Sequence, residues 1–154
     1  MGKTYRRRYY GGGRDKYSVE QQAGTLDIPG TSQAYSFVVP STAIQGMRKV
    51  KHLTVSVAHS EGVTTIGYSY WALVYVPQGT SVNQMNLVGG TGMYEPNQFV
   101  MNCGVADFSA GPCRIRSPVS RNLNSGDQIA LIMSNPTSTA TSFAYVVKYA
   151  ITLQ

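Results

Sequence analysis

Between Ser142 and Leu153 every second residue is large and apolar: Phe143, Tyr145, Val147, Tyr149, Ile151 and Leu153. A period of two belongs to an extended strand with one face turned to a core. A strand of this kind is stable only when several others share its sheet and something covers the apolar face. The rest of the chain supplies such partners. Tyr17 to Ile28 is closed by Pro29-Gly30, and Gln33 to Val39, with Tyr35, Phe37 and Val39 alternating, stops at Pro40. In Val50 to His59, Leu53, Val55 and Val57 face one way while Thr54, Ser56 and Ala58 face the other. Ile66 to Val76 is apolar on both faces, as a central strand covered on both sides should be. Asn97 to Val105, Arg114 to Val119 and Gln128 to Met133 complete the set, the last entered through the turn Asn124-Ser125-Gly126-Asp127.

These runs predict an all-β protein, an eight-stranded jelly-roll sandwich over residues 17–154. A lipocalin-like up-and-down barrel and an immunoglobulin-like sandwich fit the same count. Between Thr80 and Pro96 the chain reads as loop, with a short helix expected over SVNQMNL. No run approaches the ~20 apolar residues of a membrane-spanning helix, and no apolar signal-peptide core follows the N-terminus. Membrane association and ordinary secretion are therefore not expected. Cys103 and Cys113 are too few for a disulfide framework; one bond between them or two free thiols both fit.

Residues 1–16 are of another kind. Lys3, Arg6, Arg7, Arg8, Arg14 and Lys16 stand against a single acid, Asp15, for a net charge of +5. The remaining residues hold seven basic and six acidic side chains, so nearly all the excess charge lies on this segment. With Gly11, Gly12 and Gly13 and no aliphatic residue beyond Met1, it is read as a flexible basic arm. Adjacent guanidiniums make forked hydrogen bonds to phosphate oxygens. Tyr5, Tyr9, Tyr10 and Tyr17 interleave with them and suit stacking on unpaired bases, worth about 1–3 kcal/mol per base. The arm thus points to nucleic-acid binding, against the plainer reading of a solvated tail. Two further clusters, Arg48, Lys49 and Lys51, and Arg114, Arg116 and Arg121, are either secondary nucleic-acid-facing patches or ordinary strand ends and subunit salt bridges.

Catalytic patterns are missing. His52 and His59 fall on opposite faces of one strand, and only Glu61 lies near either as a further metal-ligand type. No nucleophile elbow, phosphate loop or HExxH motif occurs, and seven dispersed acids make no obvious carboxylate pair. Neither enzyme activity nor a metal or cofactor is expected. Charged residues make up 13% of the chain, about half the usual share, as suits a body whose surface is covered by other subunits.

Three phrases in order, WALVYVPQGT (Trp71 to Thr80), MYEPNQFVMNCGV (Met93 to Val105) and RIRSPVSRNLNSGDQIALIM (Arg114 to Met133), resemble the capsid proteins of circular, Rep-encoding single-stranded DNA viruses, the circoviruses and their relatives. With the basic arm and YSVEQ (Tyr17 to Gln21) the resemblance spans most of the chain. It implies a jelly-roll subunit assembling with copies of itself into a small icosahedral shell of sixty. It further implies an inward arm packaging single-stranded DNA, assembly after nuclear import, and an unidentified host receptor. Family arms are often longer and richer in arginine than this one. The competing readings are a coat protein of a small satellite RNA virus, a non-viral single-stranded nucleic-acid-binding module, and a secreted trimeric jelly-roll or lectin-like binder.

Overall fold

The computed structural model of the chain describes residues 17–61, 67–82, 99–109, 111–118 and 120–153. Nine strands lie among them: β1 (Ser18–Ile28), β2 (Ser32–Val39), β3 (Arg48–Glu61), β4 (Tyr68–Val76), β5 (Val100–Asp107), β6 (Cys113–Arg116), β7 (Arg121–Leu123), β8 (Gln128–Asn135) and β9 (Thr141–Leu153). They form two sheets, one ordered β1-β9-β3-β6 with β7 also on β3, the other β2-β8-β4-β5. Every pairing is antiparallel.

The expected all-β sandwich is present, and its order is jelly-roll-like, the chain passing repeatedly from one sheet to the other. The strand count differs from eight. Beside β3, opposite β9, the chain forms two short strands instead of one: β6 pairs along Thr54 to Val57 and β7 along Arg48 to Val50. β7, three residues long, is too short to show a period. The expected SVNQMNL helix falls mainly outside the described residues.

The core lies between the sheets. Phe143, Tyr145, Val147, Tyr149 and Ile151 of β9 meet Leu53, Val55 and Val57 of β3, and Trp71, Leu73, Ile129, Leu131 and Met133 face them from the other sheet. The alternation of β9 and of the β3 apolar residues is therefore realised as read. At Gly24 a Cβ would come within 2.5 Å of the Tyr145 hydroxyl, which crosses the core to bond Ser36 of the opposite sheet. β4 sits between β8 and β5 and is apolar on both sides, as expected. Its outer residues Ala72, Val74 and Val76 join Ala130 and Ile132 in a second cluster with Val82, against Phe37, Tyr70 and Phe99.

Candidate nucleic-acid interface

Along β9 the residues between the core positions, Ala144, Val146, Lys148 and Ala150, must face away from the sandwich. Their partners define the outer face of this sheet. Lys148 pairs with Gln21 of β1 and Thr54 of β3, and Thr54 pairs with Arg116 of β6. One row along, Val146 pairs with Ala23 and Ser56, and Ser56 with Arg114. In the other direction Ala150 pairs with Lys51 and Thr152 with Lys49.

Strict alternation would place Lys49 and Lys51 on the same side as Leu53, in the core. A β-bulge prevents this. The register shifts between Lys51 and Thr54, and His52 takes a φ of 55°, in the left-handed region. The extra residue reverses the parity, so that Lys51 and Thr54 share the outer face while Leu53 remains buried. His52 itself is exposed and, with Gln21, Thr54, Arg114, Arg116 and Lys148, lines a groove of about 430 Å³. His59, by contrast, packs edge-on against Phe143 and shares a hydrogen bond with Thr141. The expected opposition of the two histidines holds, and His59 has a packing role.

Five of the seven lysines and arginines outside the arm therefore stand on one face: Lys49, Lys51, Arg114, Arg116 and Lys148. Lys148 was not singled out from the sequence, because it stands alone among apolar neighbours; its alternation with the core residues was the available signal. Of the acids whose side chains are described, three lie elsewhere. Glu20 is on the inner parity of β1 and accepts the Tyr149 hydroxyl at 2.8 Å, which together with burial raises the Tyr149 phenol well above its ordinary range. Asp107 belongs to β5, and Asp127 is buried. Asp27 is on the same face but opposite Ser142, about 20 Å along β9 from Lys148, beyond the reach of unscreened attraction.

Two arginines expected with these clusters are elsewhere. Arg48 is buried, and its guanidinium donates to the carbonyls of Pro40 and Asp127, both at 3.2 Å. It precedes Lys49 in a strand and so points the opposite way, which places it inside and not on the basic face. Arg121 lies over the Tyr75 ring, with its Cζ 4.0 Å from the centroid. The arm residues Lys3, Tyr5, Arg6, Arg7, Arg8, Tyr9, Tyr10, Arg14 and Lys16 lie outside the described residues. Where the arm joins the body is described: Tyr17 stands just before β1, with the Lys51 ammonium 4.7 Å above its ring. The root of the arm is thus at the Lys49 and Lys51 end of the basic face.

Both cysteines are free thiols, Cys103 exposed on β5 and Cys113 half-buried on β6 in the other sheet. Burial, with the charge of Asp107 nearby, pushes the Cys113 thiol up and makes it a poor nucleophile.

No family model matches the chain, and no curated protein matches it significantly. Solved structures do resemble it in part. A BFDV capsid protein from a decameric crystal structure is 7% identical with a TM-score of 0.49, covering 90% of this chain and 98% of that one. The disulfide-linked pili of Bacillus endospore appendages are 12% identical with a TM-score of 0.33, covering 90% and 92%. A Desmodium yellow mottle tymovirus structure is 13% identical with a TM-score of 0.30, covering 92% and 90%.

Proposed function

We propose that the protein is a viral capsid subunit that assembles with copies of itself into a small icosahedral shell of sixty and packages circular single-stranded DNA. The observation that carries this reading is the segregation of charge. Five body cations share one sheet face, the basic arm enters at the edge of that face, and of the acids whose side chains are described Glu20 and Asp127 are on the inner side, Asp107 is on the other sheet and Asp27 is far along the face. In a shell this face and the arm are turned to the genome. The jelly-roll-like strand order and the resemblance of three ordered phrases to circovirus-like capsid proteins support the same assignment.

The charge-poor body fits a protein whose surface is largely covered by neighbouring subunits, since copies related by symmetry bury the same patches repeatedly. The arginine cluster of the arm serves in addition as a nuclear-import signal, which places assembly in the host nucleus. The phosphate contacts are non-specific, because guanidinium and ammonium groups on a sheet face and a glycine-hinged arm have no fixed register for reading bases.

Electron microscopy of the purified full-length protein tests assembly: uniform closed shells are expected, and a protein that remains monomeric overturns the reading. Shells formed with circular single-stranded DNA are expected to protect it from nuclease. Shells that leave it digestible overturn the packaging assignment alone.

A further inference from the structure

The outer face of the β1-β9-β3-β6 sheet is basic over only part of its length. Beyond Arg114 the side chains become small and apolar. Ala23, Ala58 and Ala144 form the floor of a trough of about 350 Å³, bordered by Val146 and Pro112. Its lining is almost wholly apolar, although it faces outward; Val146 is 50% exposed. Ser56 and Val146 line both this trough and the basic groove, so the two adjoin on this face. The Lys148–Thr54, Val146–Ser56 and Ala144–Ala58 pairs are successive rows on this face, spaced by two residues or about 7 Å.

Cations alone accept any polyanion. A flat apolar floor beside them is a further requirement, and it fits one kind of polyanion better than others. In an unpaired strand each phosphate lies a short reach from the flat, apolar face of its own base. A duplex stacks those faces on one another and offers the protein its phosphates. Small side chains matter here, because the three alanines let a planar ring lie close to the strand backbone over a wide area.

We infer that the trough receives unpaired bases of a strand whose phosphates lie in the Arg114, Arg116 and Lys148 groove, so that this face selects single strands by apolar contact with bases. The inference rests on the nucleic-acid reading above and adds the means of selection. The alanine floor offers no side-chain polar group to read a base edge, and Ser56 stands at its border with the groove, so the contact is tolerant of sequence.

The test uses the full-length chain and three probes of equal length: oligothymidylate, an abasic oligomer and a duplex. Ala144→Gln and Ala58→Gln fill the trough from two different strands without adding charge. Each is expected to weaken oligothymidylate binding by about fivefold and to leave abasic and duplex binding unchanged. Arg114→Gln with Arg116→Gln should weaken all three probes alike. The arm tyrosines also favour bases, but equally in parent and variants, so the comparison isolates the trough. Thermal melts identify a variant that has lost its fold, and the other strand's variant then decides. Unchanged oligothymidylate binding in the folded variants, or an equal loss on all three probes, overturns the inference while leaving the nucleic-acid reading standing. A parent protein that binds none of the probes overturns both.

Discussion

Asp127 closes the turn before β8, and most of its partners come from distant parts of the chain. Its carboxylate accepts the Tyr75 hydroxyl at 2.7 Å and the backbone amides of Asn124 and Gln78 at 2.8 and 3.1 Å, while its carbonyl accepts Arg48. Burial pushes this carboxyl up, but the three hydrogen bonds and the charge of Arg121 outweigh it and hold the group below the ordinary carboxylate range. A depressed folded value means stability that is present at neutral pH and lost as pH falls through that value. Asp127→Asn should therefore cost about 2 kcal/mol at pH 7, since an amide cannot accept from all three donors. In urea denaturation the gap between variant and parent should close as pH falls from about 5 to 2. A gap that stays constant would show that the charge is not what the turn depends on. The turn itself was legible in Asn124-Ser125-Gly126-Asp127. Arg121 lies on the ring of Tyr75, whose hydroxyl bonds Asp127. Tyr75 belongs to β4, and nothing local to the turn announces it.

At the scale of the element, the strands were legible where alternation is long, as in β9, and illegible where a single residue breaks it. β3 carries two patterns that contradict one another on a straight strand, because Lys49 and Lys51 share the parity of Leu53, Val55 and Val57. The bulge at His52 resolves the contradiction, and no glycine marks it. Histidine enters the left-handed region more readily than β-branched residues do, and glycine enters it freely. His52→Val is expected to destabilise by about 1–2 kcal/mol, and His52→Gly to be neutral or slightly stabilising. The side chain is exposed, so lost packing cannot account for such a difference. Thermal denaturation of the two variants measures it, and equal melting would show that the left-handed backbone is not the constraint. The same bulge explains why Arg48 was misplaced. Grouped with Lys49 and Lys51 by sequence, it is separated from them by the strand's own period, and only the two lysines reach the outer face.

For the whole molecule, the sequence concentrated attention on the arm because its charge is contiguous along the chain. The face is equally charged but assembled from β3, β6 and β9, and its continuity exists only after folding. The difference has a measurable consequence. In the proposed shell, sixty arms of +5 would bring about 300 positive charges to a kilobase-scale genome with roughly a thousand phosphates. Five fixed cations per subunit on the face would double that supply without lengthening the arm. On single-stranded DNA each neutralised phosphate contributes about −0.7 to the log–log dependence of affinity on salt. If the six basic arm residues alone engage, the slope is about −4; if the face engages with them, it approaches −8. A titration of the full-length protein against a single strand long enough to reach both should therefore give the steeper value. Replacing Lys49, Lys51, Arg114, Arg116 and Lys148 by Gln should return it to about −4, while the arm keeps its own share. A slope near −4 in the parent would confine binding to the arm and leave the face to another role, and a slope near zero would remove electrostatic binding altogether.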